Sequence, residues 1–314
     1  MNIPVVDLAL YTNGTDAQKV QFSNDLGKAF EEVGFVAVKN HGIDQQLIDR
    51  VYATVKAFFE LPYDVKKKYE IAGLAGQRGY TSFGKEHAKG SDAPDLKEFF
   101  QYGQKVEKGE VSPEAYPDNV RVSEIAHFNQ LFLDTYRAFE KSGSSLLSAI
   151  ASYLELGEDY FSEHIHLGNS ILRAIHYPPI TSEPKSAIRA EQHEDINLIT
   201  LLVGASAEGL EILSKQNEWL PIQADDGEIV VNVGDMLQRL TNDRLKSTTH
   251  RVVNPPREKW HTSRYSIPFF LHPKSQMSLA CLDSCITTSN PKHYEDYTAG
   301  QYLDERLREI GLKK

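Results

Sequence analysis

A histidine and an aspartate two residues apart, His193 and Asp195, begin a stretch rich in Ile, Leu, Thr and Val. This composition, from Glu191 to Val203, predicts a β-strand. Because side chains alternate between the two faces of a strand, we expect His193 and Asp195 to point the same way and Glu194 to point oppositely. An imidazole nitrogen and a carboxylate oxygen, both common metal ligands, would then converge.

A third ligand has to come from elsewhere in the chain, and His250, in the β-branched stretch KSTTHRVV, is the obvious candidate. Two imidazoles and one carboxylate on one face of a metal leave its other positions open, the arrangement that non-haem Fe(II) oxygenases use. His-x-Asp alone is weak evidence, because the chain has 11 histidines among 314 residues. The order of the motifs adds the specificity, since Arg264 and Ser266 follow His250 on the next β-rich stretch, RYSIPFF.

This order of motifs resembles the iron- and 2-oxoglutarate-dependent oxygenases of the isopenicillin N synthase-like group. Their pattern is His-x-Asp, a gap of fifty-odd residues, His, and then Arg-x-Ser; here 54 residues separate Asp195 from His250. The stretches IPVVDL, GFVAVKNHGI, RGYTSFG and DLKEFFQYG also resemble the family's amino-terminal half. The resemblance implies that His193, Asp195 and His250 bind Fe(II), with 2-oxoglutarate and O₂ as cosubstrates.

The same resemblance suggests how 2-oxoglutarate would be held. In the family it chelates the metal through its 1-carboxylate and 2-keto oxygens, which leaves its distal carboxylate in need of a partner. A guanidinium is the best planar partner for a carboxylate. Arg264 is therefore expected to bind this end, with the Ser266 hydroxyl two residues on along the same strand face as a second donor.

Two further residues are candidates for contact with 2-oxoglutarate. Tyr177 precedes Pro178 and resembles the tyrosine that many family members place against the keto acid. The plant-type sequence Asn-Tyr-Tyr-Pro is Ile-His-Tyr-Pro here, so the usual asparagine is absent. Arg173, on the same strand face as Tyr177, is the candidate replacement.

Composition limits the partners and the compartment. A formal charge of −10 without a basic cluster argues against a nucleic-acid partner. Cys281 and Cys285 are too few for a disulfide framework and are interpreted as free thiols. With neither a basic leader nor a run of 18 apolar residues, we expect no membrane span and a cytoplasmic location. The expected partner is a small-molecule substrate, and the sequence does not indicate an oligomeric state.

The elements that must position these residues change in character along the chain. Helical periods precede residue 170; the longest runs from Ser123 to Leu156, with a bend or break expected at Gly143. Residues 73–94 are glycine-rich and predict a long loop at the edge of the active site. From Ser170 onward, short β-rich runs separated by turns predict a sandwich or barrel. Thr298 and Gln301 predict a capping box that begins a last helix.

The expected fold is therefore mixed and mainly β, a double-stranded β-helix (jelly roll) flanked by α-helices; its specific topology is implied by the resemblance. The predicted regions are an amino-terminal helical and strand region at 1–100, scaffold helices at 101–164, the catalytic jelly roll at 165–275 and a carboxy-terminal helical segment at 276–314.

Three functions are compatible with these motifs. The first is a 2-oxoglutarate-dependent dioxygenase that hydroxylates, desaturates or cyclises a small molecule and releases succinate and CO₂. The second is a four-electron oxidase that uses no keto acid. The motif Arg264-x-Ser266 does not distinguish the two functions, because the oxidase subgroup keeps this motif to bind the carboxylate of its substrate. The third is a non-catalytic jelly-roll binding protein, which the three-ligand set disfavours because structural zinc normally has four protein ligands.

Overall fold

The computed structural model describes residues 3–74, 76–86, 94–112, 114–203 and 209–309. The strands of the described residues are β1 (Val5–Asp7), β2 (Phe35–Lys39), β3 (Gly79–Thr81), β4 (Glu98–Gly103), β5 (Ile171–Tyr177), β6 (Ala190–His193), β7 (Ile199–Val203), β8 (Leu210–Leu213), β9 (Trp219–Pro221), β10 (Glu228–Val233), β11 (His250–Val252) and β12 (Arg264–Leu271). The α-helices are α1 (Ala9–Thr12), α2 (Asp16–Glu32), α3 (Gln45–Phe59), α4 (Tyr63–Lys67), α5 (Phe128–Tyr153), α6 (Tyr160–Ile165), α7 (Asp235–Leu240) and α8 (Ala299–Glu309).

Two sheets form the centre of the fold. The larger has eight strands in the order β1-β2-β10-β7-β12-β5-β4-β3, and the smaller has four in the order β6-β11-β8-β9. All of the strand pairs are antiparallel except β1 with β2. Side chains from both sheets, among them Phe35, Tyr177, Leu210 and Val252, share one buried apolar cluster. The prediction of a jelly roll with flanking helices is confirmed, and its larger sheet also recruits β1 to β4 from the amino-terminal part of the chain.

Helices cover the outer face of the larger sheet. The main core cluster joins α2, α3 and α5 to β5, β7, β10 and β12. The predicted break at Gly143 is wrong, since α5 runs uninterrupted from Phe128 to Tyr153. A Cβ atom at Gly143 would lie 2.4 Å from Cδ1 of Leu271, so the glycine allows the helix to approach β12 closely.

The single strand predicted from Glu191 to Val203 is also wrong. The segment forms two strands in different sheets, because β6 ends at His193 in the small sheet and β7 begins at Ile199 in the large one. Asp195 lies in the turn between them, where its backbone oxygen accepts a hydrogen bond from the Asp235 N–H at 2.7 Å. Strand alternation therefore does not explain how His193 and Asp195 come together.

The glycine-rich segment at 73–94 is only partly a loop. Gly79–Thr81 forms β3, which pairs with β4, while residue 75 and residues 87–93 lie outside the described part of the chain. Nearer the end of the chain, the predicted capping box is present, since the Thr298 N–H donates to Gln301 Oε1 at 2.8 Å and the Gln301 N–H donates to Thr298 Oγ1 at 3.3 Å. Across the described ranges, no helix is long and apolar enough to cross a bilayer.

Candidate active site

The two histidines predicted as metal ligands meet across a pair of strands. His193 is the last residue of β6 and is paired directly with His250, the first residue of β11. Their ring centroids are 4.4 Å apart. The small sheet therefore fixes the separation of the two imidazoles.

Hydrogen bonds fix which nitrogen each ring presents. Nδ1 of His193 lies 2.7 Å from the backbone oxygen of Glu191, and Nδ1 of His250 lies 3.1 Å from that of Thr248. Because a carbonyl oxygen can only accept, each Nδ1 must carry the hydrogen. The lone pair is then on Nε2 in both rings, as a metal ligand requires.

Asp195, the third predicted ligand, is held by two hydrogen-bond donors. Its Oδ2 accepts hydrogen bonds from Thr200 Oγ1 at 2.6 Å and Asn232 Nδ2 at 2.8 Å. Thr200 and Asn232 are opposite each other on β7 and β10, and both are buried. Oδ1 is left facing the imidazoles, 4.0 Å from Nε2 of His193 and 3.8 Å from Nε2 of His250.

These three side chains are the one group of His, Cys, Asp or Glu residues in the described ranges with atoms placed to hold a metal ion, all within 4.8 Å of one another. Two neutral imidazole nitrogens and one carboxylate oxygen suit Fe(II), and three protein ligands leave positions for other molecules. The donor set therefore fits the metal that the sequence motifs imply.

The protonation states agree with metal binding. Burial first, and then the neighbouring His250, lower the pKa of His193 to about 4. Burial opposes ionisation of Asp195, but the two imidazoles and the hydrogen bonds from Asn232 and Thr200 bring its pKa below the usual value. Both shifts favour the deprotonated ligand states.

Arg264, Ser266 and Tyr177 form a second group between the sheets. Arg264 and Ser266 occupy one face of β12 and are buried, at 1% and 4% exposure. Arg264 is paired across the sheet with Tyr177 and lies 5.0 Å from the centroid of its ring. A guanidinium so deeply buried is expected to serve an anionic group.

A cavity of about 490 Å³ opens beside His193 and Asp195. One wall carries buried charges: Lys97 Nζ lies 2.8 Å from carboxylate oxygens of both Glu86 and Asp95. Leu303 and Leu307 of α8 contribute an apolar wall. The cavity thus combines an organised polar surface with an apolar one next to the candidate metal ligands.

Arg173 lies in this cavity wall. Its Nε donates to Gln101 Oε1 at 2.9 Å, and one terminal nitrogen lies 3.3 Å from Glu86 Oε1. Its guanidinium also lies 4.3 Å from the centre of the Phe99 ring. Arg173 is therefore already engaged with cavity residues.

Several residues at this site have no sequence motif. Thr200 and Asn232, which orient Asp195, are separated from it by 5 and 37 positions. The one available signal was a polar asparagine inside the apolar run EIVVNV. His272 lines the cavity, and its buried Nδ1 has no hydrogen-bond partner. Nothing in the sequence around His272 indicated that it would lie at the site.

The similarity to known proteins extends over the whole chain. Residues 168–273 match the 2OG-Fe(II) oxygenase superfamily, and residues 3–123 match the family described as non-haem dioxygenase in morphine synthesis N-terminal. A curated relative named proline hydroxylase buaE, from Petromyces alliaceus, is 33% identical over 98% of this chain and 99% of its own. The 2-oxoglutarate-dependent dioxygenase frbA from Dothideomycetidae sp. is 31% identical over 98% of this chain and 96% of its own.

Solved structures show the same similarity. A 2OG-Fe(II) oxygenase family protein from Caulobacter crescentus is 44% identical, with a TM-score of 0.88 and coverage of 98% of this chain and 99% of that chain. A full-length protein from Neurospora crassa, solved in complex with alpha-KG, is 29% identical, with a TM-score of 0.87 and coverage of 98% and 95%. The same Neurospora protein has also been solved with alpha-KG and thymine.

Proposed function

The chain belongs to the 2OG-Fe(II) oxygenase superfamily, and from this we propose the roles of its individual residues in the oxidation of a small molecule. As a member it is an iron(II)- and 2-oxoglutarate-dependent dioxygenase. The observation that carries the residue assignment is the convergence of two Nε2 atoms and one Oδ1 atom whose partner atoms are already hydrogen-bonded.

We assign the iron to His193, Asp195 and His250. The backbone oxygens of Glu191 and Thr248 keep both imidazoles in the tautomer that ligates through Nε2. Thr200 and Asn232 hold one oxygen of Asp195 and direct the other inward. Such outer contacts orient a ligand and adjust its basicity.

We assign the distal carboxylate of 2-oxoglutarate to Arg264, with Ser266 as a second donor and Tyr177 beside them. Their burial between the sheets excludes water from this charge pair and strengthens it. When bound, iron and 2-oxoglutarate supply the oxidation: the keto acid is converted to succinate and CO₂ as O₂ is reduced and the substrate is oxidised.

The small-molecule substrate is assigned to the cavity beside His193 and Asp195. Relatives bind or act on compact polar molecules: the Neurospora crassa protein has been solved with thymine, and another relative is named a proline hydroxylase. Arg173 remains a candidate contact for 2-oxoglutarate, and its position in the cavity wall supports a contact with the substrate as well. Hydroxylation, desaturation and cyclisation all fit this arrangement.

The two alternatives from the sequence have weaker support. A four-electron oxidase would need no keto acid, whereas relatives at 29–31% identity are named for 2-oxoglutarate or were solved with it. A non-catalytic binding protein would have no need for a three-ligand site with open positions beside a cavity.

The test is anaerobic addition of 2-oxoglutarate to the iron-loaded protein. We expect the weak visible charge-transfer band of the chelate, and succinate once O₂ is admitted. His193→Ala should lose iron and the band while keeping the melting transition of a folded protein. Absence of both the band and succinate in the wild type would show that the keto-acid assignment is wrong, and the four-electron oxidase would replace it.

A further inference from the structure

A second buried arginine lies next to Arg264. Arg189 immediately precedes β6 and is 2% exposed. Its guanidinium is 5.9 Å from the centroid of the Tyr177 ring, and that of Arg264 is 5.0 Å from the same ring. Both guanidinium groups therefore lie close to the same tyrosine ring, and the two charges are near enough to influence each other.

The protein provides few hydrogen-bond acceptors for the guanidinium group of Arg189. One terminal nitrogen donates to the backbone oxygen of Thr262 at 3.2 Å, but its buried Nε has no hydrogen-bond partner. Within the described ranges, no carboxylate forms an ion pair with Arg189. Its surroundings are apolar, since Tyr177 and Ala190 belong to the cluster between the sheets.

The charge of Arg189 is destabilised in this environment. Burial first, and the charge of Arg264 second, lower its pKa to about 10. It still carries its charge at neutral pH, and a buried charge without a counter-charge is costly. An anion bound between the sheets would remove this cost by satisfying both guanidinium groups at once.

We propose that Arg189 is a second arginine for the distal carboxylate of 2-oxoglutarate, acting together with Arg264. The inference rests on the proposed function, because it takes Arg264 as the first partner of that carboxylate. A carboxylate has two oxygens and about four lone-pair directions, so it can accept hydrogen bonds from two guanidinium groups. Arg189 lies outside the Arg-x-Ser motif, more than 70 positions before it in the chain.

The experiment is calorimetric titration of 2-oxoglutarate into the anaerobic Fe(II)-loaded protein, together with the melting temperature of the ligand-free form. Arg189→Gln should weaken 2-oxoglutarate binding roughly tenfold to a hundredfold, the range for losing a charged hydrogen bond. Arg189→Lys should recover part of this, because it restores the charge without the planar fork. Arg50→Gln, at an exposed arginine on α3, is the matched control and should bind normally.

The melting temperature separates binding from a purely structural role. If Arg189 serves the ligand, removing its charge should leave the ligand-free protein as stable as the wild type or more stable, because an uncompensated buried charge is lost. A melting temperature that falls while 2-oxoglutarate affinity is retained would overturn the proposal. If Arg189→Gln does not fold, Arg189→Lys alone tests the proposal. A 2-oxoglutarate affinity of Arg189→Lys equal to that of the wild type would then contradict the proposal.

Arg264→Ala distinguishes this failure from failure of the proposed function. If Arg264→Ala no longer binds 2-oxoglutarate but Arg189→Gln still binds it normally, Arg264 is a partner of the distal carboxylate and Arg189 is not. If the wild type itself does not bind 2-oxoglutarate, both assignments fall together.

Discussion

At the scale of single residues, the orientation of one carboxylate decides the geometry of the candidate iron site. Asp195 is outside any strand, so no regular backbone pattern fixes its side chain. Two buried donors, Thr200 and Asn232, hold Oδ2 and leave Oδ1 toward the imidazoles. Loss of either donor should leave the ligand present but less well directed.

Asn232→Ala is therefore expected to lower iron affinity by about 10- to 100-fold, the usual effect of removing an outer contact to a metal ligand. The measurement is competition for Fe(II) with a chelator of known affinity, under anaerobic conditions. Asn119→Ala is the control: its side chain bonds the backbone of Gly103 and touches none of the three ligands. Equal iron affinity in the Asn232 variant and the wild type would contradict the role given to Asn232.

At the scale of elements, the contact between α5 and the large sheet depends on one missing side chain. A Cβ at Gly143 would be 2.4 Å from Cδ1 of Leu271 and 3.4 Å from Cδ1 of Leu201, both in fully buried residues. Since Leu271 ends β12, the strand that carries Arg264 and Ser266, this contact supports the element that holds the proposed 2-oxoglutarate partners.

Gly143→Val should destabilise the protein by about 1–3 kcal/mol, because the added volume has to displace side chains in a close-packed core. Urea unfolding gives the value. Lys141→Val introduces the same side chain on the exposed face of α5, where it meets no packed neighbour, and should change stability by less than about 1 kcal/mol. A double variant, Gly143→Val with Leu271→Ala, should regain part of the loss if the clash is the cause.

At the scale of the whole molecule, a buried neutral histidine links stability to pH. His272 lines the cavity, and burial lowers its pKa to about 4, with the charge of Asp195 opposing the shift. In the unfolded chain an ordinary histidine takes up a proton at about pH 6.5. Between these two values the unfolded state binds more protons, so stability falls as the pH is lowered from about 6.5 to 4.

His272→Asn should flatten this part of the stability profile of the metal-free protein. Urea unfolding at several pH values between about 4 and 7 measures the slope. His261→Asn, which makes the same substitution at an exposed histidine, is the matched control. An unaltered slope in the His272 variant would show that its protonation does not differ between the folded and unfolded states.

The sequence by itself determined the donor types, their order and the class of fold. Ligand chemistry belongs to the residue, so His193, Asp195 and His250 could be proposed without coordinates. The alternation and spacing of apolar residues also belong to short segments, which is why the strands carrying Tyr177 and Arg264 and the capping box at Thr298 could be predicted.

Only the tertiary structure decided which distant groups meet. The turn that separates β6 from β7 exists because the two halves of one β-rich segment pair with different strands, His193 with His250 and Ile199 with Val233. Likewise, Gly143 lies inside α5 without breaking it, and the space that a side chain would fill there is occupied by Leu271. Asn232 reaches Asp195 because β10 pairs with β7, and Arg189 and Arg264 approach the same Tyr177 ring from segments that belong to different sheets. Local periodicity gives the face on which a side chain lies, but the partner on that face depends on how the sheets come together.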